Sequence, residues 1–244
     1  MAPEGRLRIL GRLTEASNGT FLAVDEREDA WVYKPVAGEA PLWDFPPHTL
    51  GRREVAAYAI SEELGLGVVP LTLWYEGPVG EGSVQRWIDA PRSELVDLLR
   101  PEELTEEWLP IVGGVDQEDR PVVLCHRDDE RLRTMALFDA LLNNSDRKAA
   151  HIIGDGDILR GVDHGVSMHV EPKLRTVLWG FAGSPFTVGE LSLLGTAASW
   201  SEPLADGLAD EEWKALSERA EALAEAGEFP QPSPGWPSIP WPPI

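Results

Sequence analysis

The first ninety residues change hydrophobic period twice, and that order narrows the folds open to the chain. Residues 6–13 and 20–25 alternate apolar and polar side chains around Ser17-Asn18-Gly19. Asn-Gly tolerates positive φ at both turn positions, so this reads as a hairpin. AWVYKP, residues 30–35, is a third strand, followed by a loop punctuated by Pro41, Pro46 and Pro47. Residues 52–64 then take a period near 3.6 through Val55, Ala56, Ala59, Ile60 and Leu64, and Gly65 and Gly67 end the helix. Residues 68–75 and 83–88 return to period two across a Gly-rich turn. The expectation is a five-stranded sheet with one helix inserted after its third strand.

Beyond Asp89 the reading turns helical. Residues 93–99, with Ser93 as cap, and 102–109 are expected as short helices. Residues 128–142 are the most periodic segment, with Asp128 or Asp129 as the capping residue. Residues 188–198 and 210–226 complete the helices, the last closed by Gly227. The tail FPQPSPGWPSIPWPPI is expected to be extended, with Trp236 and Trp241 lying against the body or a partner. The expected parts are a sheet lobe (1–89), a helical lobe (90–228) and a proline-rich tail (229–244).

Charge and composition exclude some functions. With 21 basic against 42 acidic residues the net charge is −21, which repels nucleic acid and anionic lipid. No apolar run reaches the ~18–20 residues of a membrane span, so no membrane insertion is expected. A single cysteine, Cys125, and the absence of a signal-peptide pattern point to the cytoplasm.

The chemistry concentrates in LLNNSDRKAAHIIGDGDILRGVDHG, residues 141–165. Asp146 follows a helix and could deprotonate a hydroxyl. Lys148 could neutralise a phosphoryl group. His151-Ile152-Ile153 and residues 158–162 form a hairpin through Gly154-Asp155-Gly156-Asp157, and Asp163 stands at its end. Taken alone, Asp146 and Asp163 are ordinary loop acids. Lys34 shares a strand face with Val32, opposite Trp31 and Tyr33, and a lysine on a buried face needs a counter-charge. Glu54, in the first turn of the inserted helix, could supply it. Asn18 and Gly19 would cover a phosphate, although neither GxGxxG nor a Walker motif is present. Gln85, Trp87 and Ile88 would lead to and line an adenine slot. His126-Arg127-Asp128 is a decoy: it precedes a long helix, and Arg133 stands where an Asn would be needed.

Five stretches in order, VYKP (32–35), GRREVAAYAISEELGLGVVPLT (51–72), GSVQRWI (82–88), FDALLNNSDRKAAHII (138–153) and GVDHGVSM (161–168), resemble the phosphatidylinositol 3-/4-kinase-like superfamily and its HipA-like relatives. The likeness is nearest to small actinobacterial kinase-like proteins of that superfamily, and it covers about residues 10–170. It implies an α+β, bilobal kinase-like fold with an antiparallel five-stranded N-terminal lobe and a mainly helical C-terminal lobe carrying a catalytic hairpin. It implies ATP with Mg²⁺ or Mn²⁺ as cofactors, Lys34 and Glu54 at the nucleotide phosphates, Asp146 as catalytic acid–base, and Asp163 as metal ligand. Two positions depart from the pattern Asp-Arg-His-x-x-Asn. Its His falls on Lys148, and its Asn, a second metal ligand, falls on His151. Imidazole favours softer ions than magnesium, so metal identity stays open.

The implied activity is phosphoryl transfer to a protein or small hydroxyl compound. A nucleotide-binding pseudokinase and adenylyl transfer to a protein are the alternatives. A zinc site from His151, His164, His169 and Asp163 is weakest, because its spacing fits no common motif.

Overall fold

Alternation builds the first sheet. The computed structural model describes residues 1–13, 18–155 and 158–244. Ser17 of the predicted hairpin turn and Gly156-Asp157 of the second turn lie outside the described residues. Strands β1 (Arg8–Arg12), β2 (Phe21–Val24), β3 (Ala30–Pro35), β4 (Thr72–Gly77) and β5 (Gly80–Arg86) form an antiparallel sheet in the order β1-β2-β3-β5-β4. In β3 the side chains of Trp31 and Tyr33 are fully buried and pack with Leu7, Ala23 and Val84 behind the sheet. Val32 and Lys34 therefore face the other way, and their cross-strand partners Gln85 and Ser83 share that face.

Helix α1 (Leu50–Glu63) crosses this face. Its first turn is held by Glu39, whose carboxylate accepts from Leu50 N and Gly51 N, satisfying donors that a helix start leaves open. The hairpin between β1 and β2 rests on the start of the same loop. Gly19 N donates to Gly38 O at 2.8 Å, and a Cβ on Gly38 would sit 2.9 Å from Gly19 Cα. Only glycine permits that approach.

The segment after Asp89 corrects the sequence reading. The helices expected at 93–99 and 102–109 are absent. In their place β6 (Val96–Leu99), β7 (Trp108–Val115) and β8 (Pro121–Arg127) form a sheet in the order β6-β8-β7, with one 3₁₀ turn at Pro101–Glu103. Ser93 accepts from Leu95 N in a turn and caps no helix. The central strand decides the matter: Val96 pairs with His126, and Trp108 with Arg127. Cross-strand pairing overrides local periodicity here.

Helix α2 (Glu130–Leu142) starts on Asp129, whose Oδ1 accepts from Arg131 N, and ends at Asn143 in the left-handed region with φ 54°. Nearly all of its last two turns are buried, so it forms the spine of the second lobe. Strands β9 (Ile152–Asp155) and β10 (Ile158–Gly161) make the hairpin after it. Helices α3 (Val188–Ala198) and α4 (Asp210–Ala226) pack together, and α4 also meets α2. Arg219 of α4 donates to Leu141 O and His169 O, tying α4 to the end of α2.

The tail lies on the second lobe. Ser238 O accepts from Thr176 N and Trp179 Nε1, Pro243 O accepts from Ala149 N, and Ile239 and Ile244 pack on the core. Trp236 donates to Lys173 O, while Trp241 is exposed. No described helix is long and apolar enough to cross a membrane.

Candidate functional site

A cleft of about 840 Å³ runs between the open face of the five-stranded sheet and the second lobe. Val32, Lys34, Glu54, Gln85, Trp87 and Ile88 line it from the first lobe; Asp146, His151, Asp163 and Trp236 line it from the second.

Lys34 is the hinge of its electrostatics. Its Nζ lies 2.5 Å from Glu54 Oε1 and 2.9 Å from Asp163 Oδ1. Burial opposes the ammonium, but the carboxylates of Asp163 and Glu54 outweigh it and raise the lysine pKa, so the charge stays. In return Lys34 holds the Asp163 carboxyl well below the usual range. Glu54 also accepts from His164 N through Oε2 at 3.1 Å, so α1 is fastened to the segment carrying Asp163. Asp163 itself has φ 60°, the left-handed region, and its side chain is half exposed to the cleft.

His151 follows Lys148 in a 3₁₀ turn (Ala149–His151). Its Nε2 stands 3.5 Å from Asp163 Oδ2. Burial pushes its pKa down, which favours the neutral imidazole, the form able to ligate a metal. Two donors each about 2.1 Å from one divalent ion stand roughly 3.0–3.5 Å apart. The pair would therefore fit one edge of a divalent metal's coordination sphere. Among the described residues no group of three or more His, Cys, Asp or Glu side chains is gathered to hold a metal. The zinc arrangement does not assemble: His164 meets Arg147, and His169 donates to Asp44 O.

Asp146 sits in the loop after α2, where its N–H donates to Asn144 Oδ1 at 3.1 Å. Lys148 Nζ lies 2.9 Å from Asp146 Oδ2, so Lys148 reaches the site through Asp146. Asn18 and Gly19 reach the cleft lip, but Asn18 Oδ1 accepts from Ala40 N and Gly19 N is spent on Gly38 O. Their polar groups brace a loop in this conformation. Gln85 Nε2 donates to Thr72 Oγ1, and Trp87 and Ile88 form an apolar wall.

Sequence reasoning missed the centre that holds these loops together. Arg147 is fully buried and forks onto Asp139 at 2.9–3.1 Å. Its remaining donors reach Val162 O and His151 O, and its NH2 stands 2.7 Å from His164 Nε2. Asn144 adds a bond to Asp139 Oδ1. One guanidinium thus spans the catalytic-loop candidate and the strand leading to Asp163. The signal was the Asp-Arg pair at 146–147 and an acid, Asp139, set among the apolar residues of α2.

No protein-family model matches the chain. Protein Rv2133c of Mycobacterium tuberculosis is 44% identical over a 259-residue alignment spanning 98% of this chain and 92% of that protein. Among solved structures, the Golgi casein kinase superposes with a TM-score of 0.50 at 14% identity, over 95% of this chain and 77% of that one. The Helicobacter pylori proinflammatory kinase CtkA is matched with a TM-score of 0.46 at 10% identity, over 93% of this chain and 94% of that one. The first of these likenesses, with the sheet lobe and its inserted helix, makes the fold kinase-like.

Proposed function

The chain belongs to the family of the mycobacterial protein Rv2133c, and we propose that it is a phosphotransferase using ATP and a divalent cation on a protein or small hydroxyl acceptor. One observation carries the reading: Lys34, Glu54, Asp163 and His151, drawn from four segments, converge on one cleft in a chain otherwise dominated by acid. A structural ion pair would need neither the half-exposed Asp163 nor the neutral His151 beside it.

In this reading Lys34, held by Glu54, contacts the nucleotide phosphates. Asp163 and His151 are the residues that would hold Mg²⁺ or Mn²⁺. Such an ion would supply charge neutralisation at the phosphates. Asp146 orients the acceptor hydroxyl and accepts its proton. Lys148, on release from Asp146, meets the transferred phosphoryl group. Trp87 and Ile88 wall the base, and Asn18-Gly19 close the lip above the phosphates. The motif likeness to the phosphatidylinositol 3-/4-kinase and HipA-like proteins supports these roles.

Calorimetric titration of ATP with magnesium, with manganese and with neither tests the reading. Metal-dependent binding is expected, lost in Asp163→Ala. Asp146→Ala should keep binding and lose turnover by about 10²–10⁴-fold. Absence of binding under all three conditions would falsify the proposal.

A nucleotide-binding module without turnover is the second reading. The contact of Lys148 with Asp146 favours it, since it masks the proposed base. ATP left intact after long incubation with varied acceptors would select it. Mass analysis of a modified acceptor separates phosphate from AMP and so tests adenylyl transfer.

A further inference from the structure

Arg53 stands next to Glu54 on α1 and is fully buried. Nothing in the proposed chemistry uses it. Its NH1 donates to Ser167 O at 2.7 Å, and its NH2 is paired with Glu212 in the first turn of α4. The guanidinium lies over the Phe45 ring, 4.8 Å from its centroid. Phe45 follows Asp44, which pairs with Lys173 at 2.6 Å. Glu212 is fixed in turn, because its other oxygen accepts from Ala209 N at 3.0 Å.

These contacts have a direction. Helix α4 is referenced to α2 by Arg219. Glu212 on α4 receives Arg53, and the next residue of α1 receives Lys34 and the His164 amide. A buried guanidinium with a carboxylate and a carbonyl has little freedom to shift, since any displacement strands a charge. Neighbouring residues on one helix turn share its rotation about the axis.

We propose that Arg53 and Glu212 are positioning residues: the pair locks α1 against α4 so that Glu54 presents its carboxylate to Lys34 in the cleft. The inference rests on the reading of Lys34 and Glu54 as the nucleotide-phosphate pair. It adds that the second lobe, through α4, sets the geometry of that pair. Neither residue touches nucleotide or acceptor.

Arg53→Met alone leaves Glu212 buried without a counter-charge and simply destabilises the fold. The informative protein is Arg53→Met with Glu212→Gln, which removes both charges and keeps the bond to Ala209 N. A buried ion pair replaced on both sides is tolerated far better than one broken on one side. The double variant is expected to melt near wild type, yet to show ATP affinity weakened by about 10–100-fold. Its KM for acceptor should stay unchanged. A structural role alone would lower the active fraction and leave ATP affinity where it was. Arg53→Lys with Glu212 intact should recover part of the loss, because an ammonium can keep Glu212 but cannot fork to Ser167 O.

Amide hydrogen exchange without nucleotide supplies a second readout. The His164 amide and the first turn of α1 should exchange at least tenfold faster in the double variant, with α4 still protected. Unchanged exchange together with unchanged ATP affinity would overturn the proposal. If the wild-type protein binds no ATP, the functional reading fails, and exchange alone still decides whether Arg53 and Glu212 hold α1.

Discussion

Lys34 and Asp163 lie 129 residues apart in sequence and meet at 2.9 Å across the cleft. Glu54 completes the contact from the other side, with its side chain almost wholly buried. Lys34→Met removes the shared cation and leaves Glu54 without a counter-charge. The expected cost is about 3–5 kcal/mol of stability, the range for breaking a buried pair. Urea denaturation measures it. ATP affinity should fall at least tenfold in protein that remains folded, read at low temperature by calorimetry. Unimpaired ATP binding in folded Lys34→Met would remove Lys34 from the nucleotide site.

His151 faces Asp163 through a neutral nitrogen. A nitrogen donor favours manganese over magnesium more than an amide oxygen does. His151→Asn restores the residue type of the motif that this segment resembles. It should keep the fold, since the side chain only part-fills the cleft wall, and should move the preference of ATP binding from Mn²⁺ toward Mg²⁺ by about tenfold. Titration of the two metals at fixed ATP reads the ratio. An unchanged ratio would place His151 outside the coordination sphere.

Much of this site was legible because strand alternation is a strict period. It put Lys34 opposite Trp31 and Tyr33 from sequence alone, and the buried pattern of β3 agrees. Helix α1 was legible by length and in part by face: Ala56 and Ile60 are buried as the period predicts, and Glu54 was set against Lys34. The burial of Arg53 and Ser61 was not legible, because a charged or polar residue reads as solvent-facing until its partner is known. Arg147 hid for the same reason: its partner Asp139 is eight residues away and one helix end removed. The two helices expected at 93–99 and 102–109 failed because strand pairing with β8 is non-local. Local period could not register that Val96 and Trp108 would lie on either side of one strand.

His126 offers a pH test away from the cleft. It is fully buried, its Nε2 accepts from Gly180 N at 3.1 Å, and its Nδ1 stands 2.8 Å from Arg127 O. The ring is therefore neutral with its proton on Nδ1, and burial holds its pKa below the ordinary 6.5. Above about pH 6.5 neither folded nor unfolded chain is protonated there, and the contribution is complete. Below it the unfolded chain takes the proton first, so stability falls as pH drops, by up to about 1.4 kcal/mol per pH unit, until the folded pKa is reached. His126→Gln cannot titrate. Its stability at pH 7.5 should be lower than wild type, and its decline below pH 6.5 shallower. Because His151 and His164 remain in both proteins, the difference isolates His126. Parallel declines would show that His126 is protonated in the fold.

The tail makes the last test. Its final residues touch both segments that flank the proposed catalytic loop: Pro243 O holds Ala149 N, one residue past Lys148, and Ser238 O holds Thr176 N and Trp179 Nε1. Ala149 and Thr176 are buried, so truncation after Gly235 strands their donors or admits water to them. It also uncovers the surface under Ile239 and Ile244. The lost hydrogen bonds and apolar contacts together cost roughly 3–5 kcal/mol. The effect on chemistry should be lopsided. Of the residues removed, Trp236 lines the cleft, so ATP affinity should weaken somewhat, but by less than turnover, which should fall at least tenfold as the loop carrying Asp146 loosens. A synthetic peptide of residues 236–244, added at millimolar concentration, should restore part of both stability and turnover. If ATP affinity and turnover fall together and the peptide restores neither, the tail supports the lobe as a whole and has no particular hold on the loop.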